Sequence, residues 1–378
     1  MSGPHYTEEH HAFRDTVRRF VESEIMPQVD AWEDARSFPR ELYRKAGALG
    51  LLAIGMPADY GGIPGDPFLS LVVTQELARA GSGGLSASLM SHTIGMPPLI
   101  AAGREELKAR ILPEVVAGRM ISALAVTEAG GGSDVAAIRA RAVRDGDDYV
   151  LSGEKTYITS GMRADVITVL ARTGGDSAGA LTLFLVEDDP RIARTPLGKM
   201  GWHPSDTATL HFDDVRIPIA NRLGEEGQGF RIVMRTFNSE RLTMAANAAA
   251  FSDVCLQDSI VWAKERRTFG QRLIDHQVIR HKLVDMAMRI AATQALVDRL
   301  AQAVRDGEEP VAEIAMAKNQ ATRTMAFCAS EAVQIHGGAG YMHGLRVERI
   351  YREVKVNAIG GGAEEVLKEL VARRMGWV

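Results

Sequence analysis

The stretch Ala125-Val126-Thr127-Glu128-Ala129-Gly130-Gly131-Gly132-Ser133-Asp134 decides how the rest of this chain is interpreted. It leaves a predicted strand, and its glycines let the backbone approach a ligand closely. The Ser133 hydroxyl and free backbone N–H groups can hold a phosphate or a flavin edge. A bare glycine-rich loop more often marks a plain turn, so the meaning of this one depends on the sequence around it.

Upstream of this stretch the apolar residues follow a helical period. Between Phe13 and Ile25 they recur at helical spacing, and Pro27 ends the run. Further helices are predicted over residues 42–52, 69–80 and 107–116. The Gly/Ser-rich piece 81–88 between them is either a flexible link or a close helix contact.

Near residue 120 the period changes to that of strands. Residues 138–143 and 149–159 alternate around Asp145-Gly146, which is a hairpin signal. Further strand-like runs follow at 165–171, 181–186 and 207–212.

Beyond Gly229 the helical period returns and persists to the end of the chain. Long helices are predicted up to Asp306-Gly307, over 311–336 and over 364–374. The fold class is therefore mainly α with a central β domain. We expect an N-terminal helical domain (1–120), a β-barrel-like middle domain (121–228) and a C-terminal helical bundle (229–378).

Composition excludes several classes of protein. The 378 residues carry a net charge of −4, with 46% hydrophobic and 24% charged residues, which is ordinary for a globular protein and gives no electrostatic case for nucleic acid. No apolar run reaches membrane-spanning length and residues 1–11 show no leader, so we expect a cytoplasmic protein without membrane insertion. Cys255 and Cys328 lie in apolar, helix-like surroundings, which predicts buried thiols and no metal site.

Taken whole, the opening stretch resembles the signature of the acyl-CoA dehydrogenase family, which has Thr-Glu, then glycines, then Ser-Asp. Three further stretches match that family in order and distance, and together the four span essentially the whole chain. They are Lys155-Thr156-Tyr157-Ile158-Thr159-Ser160-Gly161, Arg266-Arg267-Thr268-Phe269-Gly270 with His276-Gln277, and Gln334-Ile335-His336-Gly337-Gly338-Ala339-Gly340-Tyr341.

The resemblance implies FAD as the cofactor. Tyr157, where the family usually has Trp, would stack on the flavin ring, and the Thr159 hydroxyl would contact flavin N5. The segment that begins at Arg266 resembles the one that reaches the FAD of a neighbouring subunit, where a planar Arg suits a pyrophosphate. Gly344 stands where an acidic residue is common. The implied cofactor-binding residues are Thr127, Gly132, Ser133, Tyr157, Thr159, Arg266, Thr268, Phe269, Gln277, Gln334, Gly337, Gly338 and Glu365.

The catalytic base has to be placed separately. Many family members carry it as a Glu in a C-terminal loop, where this chain has Gly361, whereas the long-chain and isovaleryl branches carry it on a helix, in a Glu-Arg pair that Glu240-Arg241 matches. The residues alone allow two interpretations of Glu240: a base whose pKa is raised by desolvation, or an exposed acid at a helix start. The glycine at 361 favours the base. Glu364 and Glu365 compete for the role, although helix capping is the preferred interpretation of both.

By resemblance, the reaction is α,β-dehydrogenation of a saturated medium-chain, long-chain or branched acyl-CoA to the trans-2-enoyl-CoA, as in fatty acid β-oxidation. Glu240 would remove the α-proton, the Gly361 N–H would hold the enolate oxygen, and the hydride would pass to flavin N5. The implied substrate contacts are Ser133, Asn238, Arg241 and Gly361.

The resemblance also implies an electron-transferring flavoprotein as the acceptor and a homotetramer as the assembly. Two alternatives stay open. One is an oxygen-using flavoenzyme of the same fold, either an oxidase or a monooxygenase, and the other is a catalytically silent binding subunit.

Overall fold

A computed structural model describes residues 5–378. Helices occupy the chain up to Val116, a β domain follows, and helices return from Gly229. The N-terminal helices are α1 (Glu8–Phe20), α2 (Val29–Ala35), α3 (Glu41–Ala48), α4 (Pro67–Ala78), α5 (Gly83–Leu89), α6 (His92–Gly95), α7 (Pro97–Ala102) and α8 (Glu105–Val116). The π-helical turn Val21–Ile25 extends α1 to the predicted stop before Pro27.

The middle domain is built on one twisted sheet. Its strands are β1 (Ser122–Ala125), β2 (Arg141–Asp145), β3 (Asp148–Ile158), β4 (Val166–Arg172), β5 (Leu181–Glu187), β6 (Ile192–Pro196), β7 (Ala208–Pro218) and β8 (Arg222–Leu223). They lie in the order β6-β7-β3-β2-β4-β5-β8, and β1 pairs with β4 in parallel. The β2–β3 pair turns at Asp145 and Asp148, as the hairpin signal predicts.

Strands β4 and β5 are buried on both faces. Ile167 and Val169 belong to the core inside the sheet, whereas Val166 and Leu170 pack with the N-terminal helices around Met96. Because successive side chains of a strand point to opposite faces, this double burial explains why the two strands read as continuous apolar runs.

The C-terminal part is a helical bundle. Its helices are α9 (Gly229–Glu265), α10 (Gln277–Arg305), α11 (Val311–His336), α12 (Arg346–Ile359) and α13 (Glu364–Arg374), and the short hairpin β9 (Arg267–Thr268) and β10 (Gln271–Arg272) joins α9 to α10. Helix α9 packs along α11. Its five buried alanines between Ala245 and Ala250 have small side chains, which allow neighbouring helices to approach closely.

The structure confirms the helix–β–helix order and the five strand-like runs. Strand β1 is the predicted strand that the glycine-rich stretch leaves, whereas β6 and β8 were not predicted, because they are short and each carries an arginine. Residues 81–88 form a close contact and not a flexible link: a Cβ added at Gly84 would lie 2.6 Å from Trp202 Cα. The domain borders at 120/121 and 228/229 stay predictions.

Among residues 5–378, no helix is both long and apolar enough to span a membrane. Within the same range, no group of three His, Cys, Asp or Glu side chains is arranged to hold a metal ion. Cys255 and Cys328 are free, buried thiols, as predicted.

Candidate active site

The tertiary structure brings the Glu240 turn of helix α9 against the loop that contains Gly361. That loop joins α12 to α13. Arg241 is 7% exposed, and its guanidinium donates from Nε to the Gly361 carbonyl at 2.9 Å and from Nη1 to Asn238 Oδ1 at 3.2 Å. The two positions at which this chain could carry a base therefore lie side by side, although they are far apart in sequence.

Glu240 lies inside the 37-residue helix α9, well past its first residue, Gly229. The interpretation of Glu240 as an exposed helix-start acid is wrong, because the helix begins about three turns before Glu240. Its side chain is half-buried, and among residues 5–378 no donor forms a hydrogen bond with its carboxylate. Burial raises the pKa of Glu240 to about 7, against the opposing positive charges of Arg241 and Lys318.

The competing acids have different surroundings. Glu364 pairs with Arg323 and with Lys368, the latter at 2.7 Å, and hydrogen bonds from these two cations lower the pKa of Glu364 to about 2. Glu365 is exposed in the first turn of α13. Glu240, unlike Glu364, has a pKa in the range that suits a general base at neutral pH.

Gly361 is required by its backbone and by its neighbour. Its φ is +64°, in the left-handed region, and an added Cβ would lie 2.7 Å from Met244 Sδ. A side chain at this position would be strained even before its charge is considered. The glycine at the family's usual base position thus fits the local geometry of the loop.

The glycine-rich loop after β1 is anchored by a buried ion pair. Lys155 Nζ donates to Glu128 Oε1 at 2.8 Å and to the Val126 carbonyl at 2.9 Å, and Lys155 is fully buried. Glu128 also accepts from the backbone N–H groups of Arg139 and Ala140. Burial lowers the pKa of Lys155 to about 8; burial alone would raise that of Glu128, but Lys155 and the two N–H groups hold it below its usual range. Sequence reasoning missed this pair, since no local pattern connects the two residues.

The residues beside this loop fit a flat, aromatic cofactor. A Cβ added at Gly130 would meet no atom within 4 Å, so the loop has an open backbone face. Tyr157 lies at a register irregularity between β3 and β7 with a φ of +61°, and the residue is 68% exposed. The adjoining Thr156 N–H donates to the Thr127 carbonyl at 2.9 Å, which holds the strand end against the loop. Thr159 is half-buried two residues beyond Tyr157.

The remaining predicted cofactor residues lie elsewhere in the chain. Phe269 is at the tip of the β9–β10 hairpin, 97% exposed, with Thr268 Oγ1 3.1 Å from His276 Nε2. Gln334 and Gly337 are exposed at the end of α11. In the part of the chain that the structure describes, no hydrogen bond connects this second set to the residues around Tyr157.

A cavity of about 470 Å³ opens beside the glycine-rich loop. Arg139, Arg141 and Arg172 contribute to its lining, with Asp176. Arg172 is buried and donates to backbone carbonyls, including that of Ala136 at 2.7 Å, whereas Arg139 and Arg141 are exposed. Sequence reasoning missed this cavity; the Arg-Ala-Arg alternation at the start of β2 is the signal that could have indicated it.

Models of a single family match three consecutive parts of the chain. They are the acyl-CoA dehydrogenase N-terminal domain over residues 7–119, the middle domain over 123–215 and the C-terminal domain over 227–376. The chain belongs to the acyl-CoA dehydrogenase family. Members of this family are FAD-dependent oxidoreductases that act on CH–CH groups.

Relatives of known name or structure agree with this assignment. The chain is 37% identical over 375 residues to the mitochondrial long-chain specific acyl-CoA dehydrogenase of Sus scrofa, covering 98% of this chain and 87% of the relative. A structure from Mycobacterium smegmatis, of a protein assigned to the acyl-CoA dehydrogenases, shares 43% identity at a TM-score of 0.96 and covers 98% of this chain and 99% of that one. A glutaryl-CoA dehydrogenase from the same organism, in complex with FADH2, is 25% identical at a TM-score of 0.93, covering 99% and 96%.

Proposed function

We propose that this acyl-CoA dehydrogenase removes the α-proton of a saturated acyl-CoA with Glu240 and forms the trans-2-enoyl-CoA. The observation that carries the proposal is the unpaired Glu240 carboxyl, with a pKa raised to about 7, beside the Gly361 loop. The α-proton of a thioester is weakly acidic, so a base near neutrality matches the task better than a carboxylate of ordinary pKa.

The Gly361 N–H is the proposed donor to the developing enolate oxygen. Such a donor, held in place before the reaction, is typically worth about 3 kcal/mol in the transition state. The Arg241 side chain fixes the loop through the Gly361 carbonyl, which leaves the amide of the same residue free for the substrate. Arg241 therefore stabilises the loop on its carbonyl side. Asn238 and Ser133 stay predicted substrate contacts.

FAD would be held by the open backbone face of the glycine-rich loop, by the exposed Tyr157 ring and by Thr159. When bound, it supplies the acceptor for the hydride that leaves the β-carbon. This chain's residues would orient the ring and cover one of its faces. The second set of predicted residues, from Arg266 to Gly338, would serve the FAD of a neighbouring copy, which is consistent with the exposure of Phe269 and the absence of hydrogen bonds to the first set within residues 5–378.

The CoA part of the substrate would lie toward the cavity beside the loop. CoA carries several phosphate charges, and the exposed Arg139 and Arg141 offer guanidinium groups for them. The acyl group is proposed to be medium-chain, long-chain or branched, with support from the helix-borne Glu240 and the similarity to a long-chain relative.

The wider assignments are proposals of the same kind. We expect an electron-transferring flavoprotein as electron acceptor, a homotetramer as the assembly and a cytoplasmic role in fatty acid oxidation. The exposed aromatic residue at the hairpin tip supports an assembly in which neighbouring copies cover it.

The test is anaerobic mixing of the FAD-loaded enzyme with acyl-CoAs of short, long and branched chains, followed by flavin absorbance. Bleaching by one group identifies the dehydrogenase and its substrate class. Peroxide production in air, at the rate of substrate consumption, would favour the oxidase alternative. A colourless protein that cannot take up FAD would favour the silent subunit.

A further inference from the structure

Lys318 lies in the middle of helix α11 and is fully buried. A buried ammonium group is costly unless it is paired, yet within residues 5–378 no carboxylate lies within ion-pair distance of Lys318. Its partners are two backbone carbonyls, those of Ala358 at 3.2 Å and Gly362 at 2.9 Å. The buried charge of Lys318 is therefore stabilised by backbone carbonyls and not by an acid.

The two carbonyls stand on either side of Gly361. The Ala358 carbonyl belongs to the last turn of α12, where helix carbonyls lack an intrahelical partner and a positive charge is favoured. The Gly362 carbonyl belongs to the loop that follows. Lys318 therefore clamps the loop from α11, while Arg241 holds the intervening Gly361 carbonyl from α9. Three hydrogen bonds from two helices, to the carbonyls of Ala358, Gly361 and Gly362, fix the orientation of this short segment.

The charges that face Lys318 come from two further elements. Glu240 and Arg241 lie on α9, and Glu364 lies at the start of α13. Glu364 is already paired with Arg323 and Lys368. Arg241 follows Glu240 in sequence, but its guanidinium is hydrogen-bonded to the Gly361 carbonyl. The acid left without a hydrogen-bonded cation in this group is Glu240.

We propose that Lys318 is a positioning residue for the α-proton transfer: it orients the Gly361 N–H by clamping the loop, and it places a fixed positive charge near Glu240. The inference rests on the proposed function. Lys318 contacts neither the substrate nor the cofactor in it, and it acts through Gly361 and Glu240. Burial lowers the pKa of Lys318 to about 8, so the ammonium form predominates at neutral pH, where the base must work.

The test compares Lys318→Met with Lys318→Gln, which keeps a donor for the carbonyls but loses the charge. Lys368→Met is the matched control. It also removes a lysine from the helical bundle, but Lys368 pairs with Glu364 and not with Glu240. For each FAD-loaded variant and for the wild type, the anaerobic rate of flavin reduction by an active acyl-CoA is measured between pH 5 and 9, and the two pH profiles are compared.

Glu240 has to be ionised to act, so the rate should rise with pH through its pKa. In both Lys318 variants, this rise of the rate, the acid limb of the pH profile, is expected to shift to higher pH by about 1 unit. That is the lower end of the pKa shift that a nearby opposite charge causes. The methionine variant should also lose about tenfold in the plateau rate, since it lacks the clamp, and the glutamine variant less. The control should keep the wild-type limb.

An unmoved acid limb in both variants would overturn the inference, and so would loss of FAD-loaded, folded protein in both, because either result assigns Lys318 to stability alone. Failure of the proposed function would look different. In that case wild-type flavin is not reduced by any acyl-CoA, or Glu240→Gln reduces as fast as the wild type.

Discussion

Two regions of this molecule each combine a glutamate with a buried lysine, and they use the combination in opposite ways. In the middle domain, Glu128 and Lys155 are bonded to each other at 2.8 Å. In the helical bundle, Glu240 and Lys318 form no such bond, and the lysine is held by backbone carbonyls. Burial lowers the pKa of both lysines to about 8.

The two glutamates differ accordingly. Direct contact with Lys155 and two backbone N–H groups lowers the pKa of Glu128, so it stays ionised and holds the loop. Glu240 lacks such partners, and burial raises its pKa to about 7. A direct pair thus makes a structural carboxylate, whereas separation leaves a carboxyl group that can still exchange its proton.

The largest expected effect comes from removing the titratable carboxyl. Glu240→Gln should retain FAD and bind acyl-CoA but reduce flavin at least about 100-fold more slowly, the range of general-base catalysis. Stopped-flow absorbance under anaerobic conditions measures it. Glu364→Gln is the matched control and should stay within about threefold of wild type, because Glu364 is paired with Arg323 and Lys368. Near wild-type flavin reduction in Glu240→Gln would move the base to Glu364 or Glu365 on the last helix.

Breaking the Glu128–Lys155 pair should lower the stability of the fold. Glu128→Gln leaves the Lys155 ammonium buried without a carboxylate, and we expect a loss of about 3 kcal/mol in the free energy of unfolding at pH 7. Since the pKa of Glu128 is lowered in the folded state, its contribution is present above the unfolded value of 4.5 and is lost as the pH falls through the folded pKa. Denaturant titration of the wild type and the variant at pH 7 measures the difference in their free energy of unfolding. The same titration at pH 4 should show a smaller difference.

The same Glu-to-Gln substitution at position 240 should increase the free energy of unfolding, whereas at position 128 it lowers it. Its folded pKa is raised from 4.5 to about 7, so the protonated form is favoured in the folded state, and that stabilisation is lost as the pH rises from 4.5 through 7. Glu240→Gln removes the cost of ionising a buried acid, and we expect it to be more stable than wild type by about 2 kcal/mol at pH 8. Thermal unfolding at pH 8 and pH 5 measures this difference. A destabilised variant at pH 8 would mean that the carboxylate has a partner after all.

The smallest effect concerns the loop beside Glu240. Gly361→Ala places a Cβ in the left-handed region and 2.7 Å from Met244 Sδ, and we expect it to lose about 1 kcal/mol of stability. Gly198→Ala is the control, because a Cβ there would meet no atom within 4 Å. If Gly361→Ala unfolds at the same denaturant concentration as the control, the loop is looser than its contacts indicate.

Much of the site could be predicted from sequence, but not its pairing. The Thr-Glu and Ser-Asp motif and the Glu-Arg pair at 240–241 are local patterns, so they could be found without a structure. The Glu128–Lys155 pair spans 27 positions and the Arg241–Gly361 bond spans 120, and no local pattern reports such contacts. The cavity at Arg139 was missed although the Arg-Ala-Arg alternation is local, because its other wall residues, Arg172 and Asp176, lie more than 30 positions away in the sequence.

The sequence by itself determined the order of helices, sheet and helices, and the bounds of α11 and α13, because hydrophobic period and turn residues act over a few positions. It also determined the family, through four motifs in order. Only the tertiary structure decided which glutamate is paired and which is left titratable. Desolvation and the distance to a charge depend on what distant segments bring together, and these two quantities set the pKa of a buried acid.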